Sequence, residues 1–183
     1  MKRSLFAVAL TGLALVSLPL AARAQVSTAA KAVEFGVAAG AALPMSDLSN
    51  FYQTGFNGTV TVGFHPQMIP LGIRVDGAYN QFSAKSGTVG GNVHFTSVTG
   101  NLVYSIPSET VAPYLIGGAG VYNAAISIPG FGTGSDNKFG WNIGGGIKMP
   151  LSGFDTFLEA RYNQVQGNGG SLKFIPITFG VMF

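Results

Sequence analysis

The chain has 183 residues, 47% of them apolar and only 9% charged, with 27 glycines and no cysteine. A domain that meets water on all sides carries about a quarter of its residues as charges, so something other than water must face much of this surface. The lack of cysteine excludes a disulfide scaffold and thiolate metal sites, and the formal charge of +3 rests entirely on the first two dozen residues.

Lys2 and Arg3 precede an apolar run from Leu5 to Leu20, and Ala22-Arg23-Ala24 supplies an A-x-A cleavage site before Gln25. The pattern predicts a secretory signal over residues 1–24 and a mature chain of residues 25–183. Lys2, Arg3 and Arg23 leave with the signal, so seven of the ten basic residues remain against seven acids. A balanced charge gives no electrostatic reason for a nucleic-acid partner. Nothing downstream offers 18 uninterrupted apolar residues, so no transmembrane helix is expected in the mature part.

Eight segments then alternate with period two, and none shows a convincing helical stripe: Val33 to Ala42, Gly55 to His65, Leu71 to Phe82, Val93 to Ile106, Val111 to Asn123, Lys138 to Met149, Thr156 to Val165 and Lys173 to Phe183. Each is near the length of about 9 to 11 residues that a tilted membrane-crossing strand needs. The connections alternate too. Residues 43–54, 83–92, 124–137 and 166–172 are long or rich in Gly, Ser and Asn, whereas 66–70, 107–110 and 150–155 are short and each opens on proline. Proline suits a tight turn and cannot continue a ladder, so the three short turns belong at one end. The expected fold class is all-β: one domain, an eight-stranded antiparallel up-and-down transmembrane β-barrel.

The faces support this reading. In the second segment Phe56, Val60, Val62 and Phe64 oppose Asn57, Thr59, Thr61 and His65; in the sixth, Phe139, Trp141, Ile143, Ile147 and Met149 oppose Lys138, Asn142, Lys148 and three glycines. With strand directions fixed by the turns, Phe56, Tyr79, Tyr122, Trp141 and Tyr162 fall near the loop end and Phe35, Phe64, Tyr104, Tyr114 and Phe183 near the turn end. Two such aromatic belts are expected on either side of an apolar band about 25 Å tall. The fifth segment leaves its facing ambiguous. A charge facing lipid costs about 2 to 4 kcal/mol at mid-bilayer, which sends Glu34, Arg74, Asp76, Lys148, Glu159 and Arg161 into the lumen. Three acids and three bases balance there, and they must pair or hold water in so narrow an interior.

The last nine residues, Ile175 to Phe183, put large apolar groups at 175, 177, 179, 181 and 183. This segment resembles the closing strand of bacterial outer-membrane β-barrels, in which a C-terminal Phe is read by the assembly machinery; the resemblance gives Phe183 that role. Leu158-Glu159-Ala160-Arg161-Tyr162 resembles the penultimate strand of small OmpA-like barrels, and Pro113-Tyr114-Leu115-Ile116-Gly117-Gly118-Ala119-Gly120 resembles their fifth strand. The soluble peptidoglycan-binding domain that often follows does not, so the expectation is a barrel on its own, similar in plan to OmpX-type proteins. The resemblance implies an integral protein of the outer membrane, with its lipid and lipopolysaccharide and the assembly machinery as partners.

Function is less legible. The leading reading is a non-catalytic structural or surface-interaction protein acting through its extracellular loops, with a narrow porin-like channel as alternative. The glycine-rich stretches at 129–136 and 167–171 are exposed connections rather than phosphate cradles, since no helix follows either. An enzyme acting on lipid A needs a nucleophilic serine with a histidine and an acid in reach. His65 sits by the turn at Pro66, and His94 and Ser97 are three apart and so on opposite faces. No catalytic, cofactor or metal residue is assigned. A soluble calyx would need an apolar interior and a polar exterior, the reverse of these strands.

Overall fold

The structure, a computed structural model, describes residues 33–66, 69–86, 91–108, 110–128, 132–167 and 170–183. The leader expected over residues 1–24 lies outside the described residues. Strands β1 (Val33–Met45), β2 (Gly55–Phe64), β3 (Leu71–Phe82), β4 (Asn92–Ser105), β5 (Ala112–Ile128), β6 (Gly132–Pro150), β7 (Asp155–Gln166) and β8 (Ser171–Met182) pair in chain order, antiparallel throughout, and β8 closes on β1. A closed sheet has no edge, which is what lets strands cross a medium that cannot satisfy backbone groups.

Lateral partners followed round the barrel from Glu34 run through Gly63, Arg74, Asn101, Gly118, Asn142, Asn163 and Phe174 and return to Pro44, ten residues along β1. At about 3.3 Å per residue and about 4.8 Å between strands, that stagger tilts the strands by about 40°. A 12-residue strand such as β3 then rises about 30 Å along the axis, enough for the apolar band. The seam is held to its end: Phe183 N–H donates to Phe35 O (2.7 Å) and Phe35 N–H to Phe183 O (3.0 Å). Pro176, which lacks an N–H, leaves a gap in the β7–β8 pairing between Asn163↔Phe174 and Ala160↔Ile177. The β1 side continues past it.

Two connections differ from expectation. Residues 124–137 are mostly ladder, since β5 and β6 pair from Ala112↔Lys148 out to Ile128↔Gly132. Alternating apolarity marks only the part of a strand that touches lipid, whereas backbone bonds carry the hairpin further. Because β6 meets β7 only from Gly140 onward, the outer part of the hairpin rises past β7 as a ribbon, pinned where Asn123 Nδ2 donates to Asn137 Oδ1 (2.8 Å). The stretch after β1 holds a short helix, α1 (Asp47–Phe51), whose Leu48 is buried in the barrel mouth. At the opposite end, the short turn after β6 closes with Leu151 N–H on Phe154 O (2.9 Å) and uses Gly153 at φ +103°, where a side chain would be strained.

The outward face is apolar as expected on β2, β6 and β8. Phe56, Tyr79, Trp141 and Tyr162 lie outside at the loop end, and Phe35, Phe64, Tyr104 and Phe183 at the turn end. Tyr114 and Tyr122 do not join these belts. Both point inward and are almost fully buried, because on β5 it is Pro113, Leu115 and Val121 that face lipid while the small residues from Gly117 to Gly120 hide the alternation.

At the loop end the alternation inverts. Phe82, Val93, Phe95, Val165 and Phe174 turn inward, and their neighbours Gln81, His94, Thr96, Gln164 and Lys173 face out. The apolar exterior ends at that level, and above it the core lies inside the barrel.

Candidate functional site

Arg74 and Asp76 are two apart on β3, and Glu159 and Arg161 two apart on β7, so each pair shares the inner face. Three strands lie between β3 and β7 in either direction round the barrel, which places the pairs on opposite walls. They meet across the lumen. Arg74 Nη2 donates to Glu159 Oε2 at 2.7 Å, Arg161 Nη1 to Asp76 Oδ2 at 2.8 Å, Arg74 Nε lies 3.0 Å from Asp76 Oδ1, and the Arg161 guanidinium is paired with Glu159. Charges of alternating sign thus form a closed ring of zero net charge. Remaining lone pairs are met by Tyr114 O–H on Glu159 Oε2 (2.8 Å), Asn101 Nδ2 on Asp76 Oδ2 (2.9 Å) and the Thr61 hydroxyl on Asp76. All four charged side chains are buried, so the ring acts as a strut between opposite walls. A buried pair repays its desolvation only when its remaining hydrogen-bonding capacity is met in this way.

The other two expected lumen charges, Glu34 and Lys148, form a separate cluster at the turn end. Lys148 Nζ lies 3.1 Å from Glu34 Oε1 and 3.3 Å from Asp155 Oδ2, and His65 Nδ1 lies 3.4 Å from Glu34 Oε2. His65 therefore folds under the barrel against Glu34. Asp155, His65, Tyr114 and Asn101 were not expected in these networks. The inward parity of Asp155 on β7 was the signal available for it, but proximity across the barrel is not written in the chain.

Above and below the strut the lumen is packed. On the loop side the rings of Phe82, Phe95 and Phe174 meet at centroid distances of 5.2 to 6.0 Å, with Leu48 beside them. Between this lid and the strut lies a polar layer in which Asn57 Nδ2 donates to Asn80 Oδ1 (2.8 Å) and Tyr122 O–H to Asn163 Oδ1 (2.9 Å), around a cavity of about 30 Å³. On the turn side Val103, Tyr114, Phe157 and Met182 line a cavity of about 10 Å³, with Ile116 packed against Val103 and Tyr114. Cavities of these sizes hold one or two waters at most. The aromatic lid, built from β3, β4 and β8, departs from the small or polar inner face read on the second and sixth segments. Inward glycines make the fit possible: a Cβ at Gly146 would lie 2.6 Å from the Tyr114 ring, and one at Gly180 2.5 Å from Phe157.

His94 faces outward and stacks on Tyr79 at 5.9 Å, while Ser97 is buried in the lumen. The wall of the barrel separates them. Among the described residues no group of three His, Cys, Asp or Glu side chains could hold a metal ion.

A family model described as the outer membrane protein beta-barrel domain matches residues 9–183. No curated protein matches the sequence significantly. Among solved structures, the chain is similar to Neisserial surface protein A (TM-score 0.68, 17% identity, covering 82% of this chain and 96% of that one). It is similar also to Ail, the attachment invasion locus protein of Yersinia pestis (0.53, 19%, 82% and 97%), and to the N-terminal barrel of Pseudomonas aeruginosa OprF (0.51, 14%, 82% and 97%). At these identities the similarity is one of fold.

Proposed function

Because the chain belongs to the outer-membrane β-barrel family, and is integral to that membrane, we propose that it is a non-catalytic barrel whose role is structural or a surface interaction made by its extracellular loops. The observation that carries this reading is the filling of the lumen, lid over polar layer over charge strut, which leaves the exposed loop end as the part able to meet anything else. There the β5–β6 ribbon presents exposed Ser135, Asp136 and Asn137 on a hydrogen-bonded frame. The name of one similar structure, an attachment invasion locus protein, accords with that role. Outer-membrane lipid and lipopolysaccharide surround the barrel on this reading, and the assembly machinery recognises it through Phe183.

A barrel lipase or deacylase reading gains nothing from His94, which has the sheet between it and Ser97. Conduction would require the strut and the lid to open together. The test is to shorten the ribbon, joining Asn123 to Asn137 by a two-residue turn, and to compare cells bearing either form for adhesion to epithelial cells and extracellular-matrix proteins. The trimmed barrel should still fold and lose the adhesion. Equal adhesion by both forms, or by cells without the protein, would refute the loop-mediated role.

A further inference from the structure

The outward faces of the described strands carry one charged side chain, Lys173 of β8. Phe174 and Leu172 on either side turn toward the apolar lid, so Lys173 faces away from the barrel. It makes no ion pair among the described residues. Its lateral partner on β7 is Gln164, whose own partner on β6 is Trp141, so three adjacent strands present donor-bearing side chains in one outward row. Tyr162 O–H donates to Gln164 Oε1 at 3.1 Å, which occupies the carbonyl and leaves the Nε2 hydrogens as donors. The Tyr162 and Trp141 rings lie 5.5 Å apart beside it. No carboxylate interrupts the row.

The row's height is set by the strands themselves. Toward the turn end the outward residues of β8 are Ile175, Ile177 and Phe179; at Lys173 and Gln164 the alternation inverts and the exterior becomes polar. This is the boundary between hydrocarbon and headgroups, where an unpaired ammonium can keep its stem in apolar surroundings and its head among anions.

We propose that Lys173, Gln164, Tyr162 and Trp141 form a binding site for one phosphate-bearing glycolipid headgroup of the outer leaflet. The Lys173 ammonium meets the phosphate, the Gln164 amide donates to a phosphate or sugar oxygen, and the two rings pack at the junction of sugar and acyl chains. The inference rests on the reading above for one point, that the loop end faces outward.

The test uses the full-length barrel in detergent micelles, with bis-phosphorylated lipid A and fully dephosphorylated lipid A as probes and retained lipid counted by native mass spectrometry. The wild type should retain the phosphorylated form preferentially. Lys173→Gln should weaken that retention roughly fivefold, the worth of one surface lysine against an anionic leaflet. Lys138→Gln, at a lysine whose Nζ is engaged by Asp136 at 2.7 Å, should leave it unchanged. Equal retention by Lys173→Gln and wild type, or retention indifferent to the phosphates, would overturn the site. Orientation is read separately, by labelling a Gly170→Cys variant on intact cells with a membrane-impermeant reagent: labelling supports the outer-leaflet assignment, and labelling only after lysis refutes the topology whatever the lipid A result.

Discussion

Replacing Arg161 with alanine removes one corner of the charge ring and leaves the lumen with a net charge of −1. The loss is shared. Glu159 keeps Arg74 Nη2 at 2.7 Å and Tyr114 O–H at 2.8 Å, while Asp76 keeps Arg74 Nε at 3.0 Å and Asn101 Nδ2 at 2.9 Å. Breaking a buried pair costs about 3 to 5 kcal/mol, and the retained partners place this change at the low end, about 3 kcal/mol. Removing Glu159 as well restores neutrality and leaves the Arg74–Asp76 pair intact, so Glu159→Gln with Arg161→Ala should be less damaging than Arg161→Ala alone. Trp141 is the sole tryptophan, on the lipid-facing surface against Tyr162, so its fluorescence reports transfer of β6 from lipid to water. Urea unfolding from phospholipid vesicles, followed at that residue, gives the two free energies. A single variant within about 0.5 kcal/mol of wild type, below the range for a buried pair, would show the charges to be solvated and the strut to carry no load.

Three further outcomes follow from the packing. Gly146→Val should displace the Tyr114 ring, which a Cβ would already approach to 2.6 Å, and lower stability by about 1 to 3 kcal/mol in the same titration. Phe174→Ala should remove the ring that contacts both Phe82 at 5.6 Å and Phe95 at 5.2 Å; a loss of about 3 to 5 kcal/mol is expected, with barrel circular dichroism and heat-modifiable gel mobility retained. His94→Ala should change neither the lipid A acyl pattern of expressing cells, read by mass spectrometry, nor the yield of folded barrel.

The strands were legible because lipid demands strict alternation: in β3 the outward Leu71, Ile73 and Val75 against Arg74 and Asp76 fix both face and limits, which match the observed Leu71–Phe82. The same logic sent the six charges inward. It could not say which would meet, since Arg74 and Glu159 are 85 residues apart and their contact depends on the circuit of the closed barrel. The facing of β5 was hidden by its own composition, as glycine and alanine from 117 to 120 satisfy either face. The aromatic lid carried a readable signal that alternation alone obscures: at Val93 and Phe95 the apolar phase of β4 runs opposite to that at Val98, Leu102 and Tyr104. Such an inversion marks the edge of the membrane, and with it the level at which Lys173 sits.

The claim that a filled lumen leaves function to the loops is tested most directly by electrical recording. Purified, refolded barrel inserted into planar lipid bilayers under an applied potential should leave the current at baseline, because the aromatic lid and the strut must both give way before an ion passes. Discrete, reproducible conductance steps from the wild-type protein, persisting when contaminating porins are excluded by a mock purification, would contradict it.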